Sequence, residues 1–141
     1  MEESPLLHLD LRAPLRYAET PGLDPFSCPV PGASDELLFC FELDPEQAAG
    51  IEPDPACFPG KLLFAGREDG ERGEKTLPAG QYLFIQRREA LRREEIIDMA
   101  VEQQKDGLWE RLRLENRLYI RRLFEDNSQV TQLFRPYLQG G

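Results

Sequence analysis

LPAGQYLFIQRREALRREEIIDMAVEQQKDGLWERLRLENRLYIRRLFEDNSQVTQLFRPY, residues 77–137, decides the fold. Its YLFIQ segment closes a strand over Thr76 to Gln86, because β-branched and aromatic residues alternate there after a proline and a glycine. Between Glu89 and Asp106 the pattern changes to helical spacing. Ala90, Ile97, Val101, Gln104 and Leu108 share one side, flanked by Ile96 and Ala100, with Glu95, Asp98, Glu102 and Asp106 opposite. Gly107 reads as the helix stop, although LWERLRL could carry a further turn or two before Asn116. Leu118 to Phe124 is a strand, EDNS (125–128) a tight turn, and Gln129 to Phe134 the returning strand. With Lys61 to Arg67 as the strand before, the order is strand, strand, helix, strand, strand. Such an order predicts an α+β fold, an antiparallel sheet with one main amphipathic helix on one face.

Working back toward the N-terminus, LLFCFEL (37–43) is a nearly continuous apolar run of strand length, which predicts burial on both sides. His8 to Tyr17 alternates unevenly and reads as a strand interrupted, or at an edge, near Pro14. TPGLDPFSCPVPG (20–32) and DPEQAAGIEPDPACFPG (44–60) read as long loops, since proline removes an amide donor and biases its predecessor toward extended conformations. Residues 1–60 hold ten of the twelve prolines and twelve acids against Arg12 and Arg16 alone. The remainder is nearly neutral, so the net charge of −9 is regional. A chain of 141 residues is read as one domain, with an acidic, proline-rich first half (1–60) and a second half over 61–137.

These features bound the function. No apolar run approaches the roughly 18 residues of a membrane span, and the acidic start is unlike a secretory leader, so a cytoplasmic protein is expected. The acidity opposes direct nucleic-acid binding, and acids interleave the arginines of the second half. Cys28, Cys40 and Cys57 form no Cys-x-x-Cys pair and have only His8 as a nitrogen companion, so no metal or cofactor is implied. Cys40 reads as a small core residue. No nucleophile elbow, phosphate-binding loop or His-Glu-x-x-His is present, so no catalytic residue is assigned and the protein is read as not an enzyme. Its start at Met1 favours a complete chain.

The order of elements, the Pro78-x-Gly80-x-Tyr82 pattern that enters the strand-helix-strand-strand unit, and the closing hairpin NRLYIRRLF to QLFRPY with Pro136 near its end resemble the GyrI-like family. This family comprises small-molecule-binding domains that occur alone and as effector-binding parts of transcription regulators. The resemblance covers about residues 61–137. It implies two such units about a pseudo-twofold, the first of them degenerate here, with a small, partly apolar molecule held between them. Phe39, Phe41, Tyr82, Trp109, Tyr119 and Arg121 are the ligand-binding candidates. Arg121 or Tyr119 stands where cation-binding members carry a glutamate, and an arginine there would favour a carboxylate ligand. Some members are hydrolases, which would make Glu42 and Tyr119 an acid and tyrosine pair. The alternative, from the charge distribution, is an interaction module whose acidic half engages a basic protein partner. A monomer and a homodimer paired through the first strand are both compatible with the sequence.

Overall fold

The computed structural model describes residues 7–20, 36–48, 50, 54, 58, 60–68, 71, 73–89, 91–125 and 128–138. Cys28, Cys57, Ala90, the 21–35 part of the first proline-rich stretch and the tip of the EDNS turn lie outside them. Nine strands and two helices follow in the order β1 (Leu7–Leu11), β2 (Leu15–Glu19), β3 (Leu37–Glu42), α1 (Pro45–Ala48), β4 (Lys61–Glu68), β5 (Lys75–Leu77), β6 (Gly80–Arg87), α2 (Arg93–Trp109), β7 (Arg113–Leu114), β8 (Arg117–Glu125) and β9 (Ser128–Leu138). The strands make one antiparallel sheet, ordered β1-β6-β9-β8-β3-β4-β2-β5, with β7 paired to β9. The sheet curls into a half-barrel with one main helix, α2, on its outer face.

The curl has a specific origin. β1 pairs with β6 from Leu7↔Phe84 to Leu11↔Gly80, and β2 pairs with β5 from Leu15↔Leu77 to Tyr17↔Lys75. These ladders are two arms of one antiparallel ribbon, bent where residues 12–14 face residues 78–79. The odd residue at the bend and the prolines at 14 and 78 suit a corner, where a proline cannot continue a ladder. One arm joins the sheet through β6 and β9, the other through β2 and β4. The ribbon therefore ties the two ends of the sheet together around its inner face. Tyr82 donates its hydroxyl hydrogen to the Pro78 carbonyl and so pins the bend. Gly66 permits the second arm to lie close: a Cβ on it would stand 2.7 Å from the Ala18 carbonyl oxygen.

Strand alternation sorts the side chains into two cores. On the outer face Leu37, Phe39, Phe41, Ile85, Leu118, Ile120 and Leu133 pack beneath Ile96, Ile97, Met99 and Ala100 of α2. On the inner face Tyr17, Leu38, Cys40, Leu77, Tyr82, Tyr119 and Phe134 form the second cluster, with Phe64 and Phe84 against it. Truncating one of the large apolar residues in either core costs about 2–5 kcal/mol.

Two sequence expectations are corrected. α2 runs past Gly107 to Trp109, and its buried face centres on Ile96, Ala100, Gln103 and Gly107, with Val101 and Leu108 only half-buried. Gly107 serves as the point of closest approach, where a Cβ would meet Leu83 Cδ1 at 2.6 Å. The second proline-rich stretch, expected to be all loop, contains the short helix α1. Among the described residues the first half holds no long helix, so the expected pair of units about a pseudo-twofold is not seen there.

Three buried polar side chains between α2 and the sheet reach backbone carbonyls. Arg135, 1% exposed, donates from Nε to Glu115 O (2.8 Å), from one terminal nitrogen to Gln104 Oε1 (2.7 Å) and from the other to Ala48 O (3.1 Å). Burial alone lowers this guanidinium to about 10. Gln104 reaches on to the carbonyls of Gln47 and Gly50, both at 2.6 Å, and Gln103 to those of Leu83 and Leu133. These side chains staple α1, α2 and the sheet together.

Candidate functional site

The inner face changes character along its length. At one end, Arg121 of β8 donates to Glu36 Oε2 through Nε (3.1 Å) and a terminal nitrogen, and to Gln132 Oε1 (3.0 Å). Gln132 donates to Gln86 Oε1 at 2.7 Å, which extends the rung across β9 to β6. The Tyr17 hydroxyl is buried beside this rung, and burial pushes it up to about 12 against the opposing pull of Arg121. Burial works against the Arg121 charge, but Tyr17 and Glu36 outweigh it and hold the guanidinium above its usual range. Arg121 and Glu36 border a shallow depression of about 340 Å³ with Pro14, Leu15, Arg16 and Glu68. Its principal charge is already neutralised.

Rings fill the middle. Tyr82 meets Tyr119 edge-on with centroids 6.2 Å apart and Phe134 at 5.7 Å, within the range where edge-to-face pairs attract. Cys40 sits opposite Tyr119 in the β3–β8 register, and burial pushes its thiol up to about 11. Burial likewise raises the Tyr82 and Tyr119 hydroxyls, with Tyr119 acting on Tyr82 and Cys40 on Tyr119, while Arg117 opposes the shift of Tyr119. At neutral pH all three groups keep their protons. They can donate or accept hydrogen bonds, but they do not supply a thiolate or phenolate nucleophile.

Beyond the rings, under the ribbon bend, a cleft of about 280 Å³ opens between Pro78, Ala79, Gly80, Gln81 and Tyr82 on one side and Glu115, Arg117, Tyr119, Pro136, Tyr137 and Leu138 on the other. Gly80 adopts φ 152°, which lets the chain turn into β6 at the lip. Arg117 is exposed and stands next to the Tyr119 hydroxyl, which holds its guanidinium above the usual range. The expected site residues divide accordingly. Tyr82 and Tyr119 come together in the cleft, whereas Arg121 shares their face but belongs to the closed end. Phe39 and Phe41 lie under α2 on the opposite face of the sheet, because Cys40 takes the inward position. Trp109 is 76% exposed at the end of α2 and joins neither group.

Arg117 and Glu115 were not expected. Arg117 was within reach of the sequence, since alternation puts it on the same face of β8 as Tyr119. Glu42 is exposed and lines a different, open depression of about 580 Å³ with Asp44, Lys61 and Asn116, so it does not meet Tyr119 in one site. Elsewhere, His8 bridges the Tyr137 hydroxyl at Nδ1 and Glu110 Oε1 at Nε2, both at 2.9 Å, and tacks β1 to the end of α2. Among the described residues no group of three His, Cys, Asp or Glu side chains is placed to hold a metal, and no helix is long and apolar enough to cross a membrane. Comparison of the chain with protein-family models, with curated proteins and with solved structures gives no match.

Proposed function

We propose that the chain is a non-catalytic, GyrI-like effector-binding domain that takes a small, partly apolar molecule in the cleft under the ribbon bend, in the service of transcription regulation. One observation carries the reading: Tyr82 and Tyr119 come edge to face at a cleft that sets Pro78, Ala79, Pro136 and Leu138 beside the polar side chains of Gln81, Glu115, Arg117 and Tyr137. Binding sites for small molecules are mostly apolar, with a few placed polar groups that orient the ligand. The β6-α2-β8-β9 order, with β9 between β6 and β8 in the sheet, supports the family reading. Protonated tyrosines and a protonated thiol favour binding over nucleophilic chemistry.

A thermal-shift screen of the full chain against cationic dyes, aromatic acids and lipophilic amines tests this. Saturable stabilisation by one class, abolished by the cleft-filling substitution Ala79→Trp, supports it; no stabilisation by any class defeats it. A second reading, docking of a basic protein partner, draws on exposed Glu42, Asp44, Glu46 and Asp54 in the acidic half. It requires affinity that falls steeply as salt rises, since exposed charges are screened within about 10 Å at 0.1 M.

A further inference from the structure

We infer that the ligand of this cleft carries a carboxylate head on a flat apolar body, the head held by Arg117 and the Tyr119 hydroxyl. The inference rests on the reading of the cleft as a ligand site and names the class of molecule that fills it.

Arg135 spends its donors on two carbonyls and an amide, and Arg121 spends its donors on Glu36 and Gln132. Arg117 has Tyr119 beside it and, among the described residues, no carboxylate within ion-pair distance. Glu42 faces it in register and its charge acts on Arg117, yet both side chains are exposed and no ion pair joins them. A guanidinium presents a planar fork of donors that matches the two oxygens of a carboxylate. The Tyr119 hydroxyl, kept protonated by burial, lies at the same spot between Arg117 and the Cys40 thiol, and its hydrogen can turn from the weakly accepting sulfur to a carboxylate.

Glu115 is the second charge on the lip, and its place is fixed. Its backbone N–H donates to Pro136 O at 2.9 Å while its carbonyl accepts from Arg135. A phosphate dianion would bring a second negative charge toward this carboxylate, so a single charge suits the lip better. Pro78, Ala79, Pro136 and Leu138 supply the apolar walls, and Leu138 is 56% exposed, leaving area for a ring to cover. The volume of about 280 Å³ lies just below the roughly 300–1,000 Å³ typical of ligand pockets, which favours an acid of one or two rings.

The test uses three probes with one ring system and three heads: indole-3-acetate, indole-3-acetamide and tryptamine. Each is titrated into the labelled full chain and followed on the ring signals of Tyr82 and Tyr119 by NMR. The acid should bind about tenfold more tightly than the amide, as a charge-assisted hydrogen bond replaces a neutral one. Arg117→Gln, at an exposed position, should erase that preference, the acid losing about tenfold more affinity than the amide. Equal or tighter binding of the amide or tryptamine overturns the carboxylate assignment while leaving the cleft a ligand site. An unchanged preference in Arg117→Gln overturns the role of Arg117. If none of the three probes moves either tyrosine, the reading of the cleft falls as well.

Discussion

The two faces of the sheet treat polar side chains differently. Beneath α2, Arg135, Gln103 and Gln104 are buried and aimed at backbone carbonyls that hold one element against another. On the inner face the closed end pairs Arg121 with Glu36, while the cleft end leaves Arg117 exposed beside a tyrosine hydroxyl. A buried polar group whose donors are all spent on neighbouring elements is part of the scaffold. One exposed on a strand, with donors left over, is available to something that arrives from solution. The comparison ranks what substitution should do.

The largest effect is expected at Arg135. Arg135→Met orphans three acceptors, two of them buried and each of those worth about 1–3 kcal/mol, and should lower the urea midpoint by the equivalent of about 3 kcal/mol overall. A neutral outcome would mean that relief from burying the charge offsets the lost bonds. Gly66→Ala should cost about 1–3 kcal/mol by pushing the second arm of the ribbon off β4, because the new methyl would meet the Ala18 carbonyl rather than a movable side chain. Loss of near-ultraviolet tyrosine circular dichroism in that variant would tie the ribbon to the inner core.

Next comes the alkaline limb. Tyr17 is raised from 10.0 to about 12 and Cys40 from 9.0 to about 11, so in these windows the unfolded chain releases protons that the native state keeps. Stability is then fully present below the unfolded values and is lost as pH rises, from about 9 to 11 for the thiol and from about 10 to 12 for the phenol. Tyr17→Phe should flatten the upper part of that fall in a pH series of urea melts, whereas an unaltered slope would exclude Tyr17 as its source. The smallest effect is expected at Arg117. Arg117→Gln should alter stability by no more than about 0.5 kcal/mol, as for other exposed positions, and a larger loss would put Arg117 with the scaffold.

Much of the outer face was legible because its signals are local. The apolar spacing of 96, 97 and 100 announced the helix, and LLFCFEL announced β3. The helix face was misplaced because its centre includes Gln103 and Gly107, a polar residue satisfied by strand carbonyls and a residue with no side chain. Neither registers as apolar. The inner face was harder to foresee, since the inward residue of LLFCF depends on its pairing with β8, and Arg121 finds its counter-charge 85 positions away. Tyr82 was singled out by the Pro78-x-Gly80-x-Tyr82 pattern and Tyr119 by its place on the late strand, and the fold brings the two rings together. The bond from Tyr82 to the Pro78 carbonyl gives that pattern a mechanical reason.

The bent ribbon also dictates an order of events during synthesis. β6, α2, β8 and β9 are neighbours in the chain and can assemble with short loops, whereas residues 7–17 must wait for residues 75–84 to be made. Leu9, Leu11 and Leu15, made before the strands they pair with, are thus among the last to find shelter, because long-range pairing has to overcome the entropy of closing the intervening loop. In that interval the nascent chain presents an unpaired strand of leucines. The acids dense in its first sixty residues give that stretch the charge repulsion that discourages two such chains from associating.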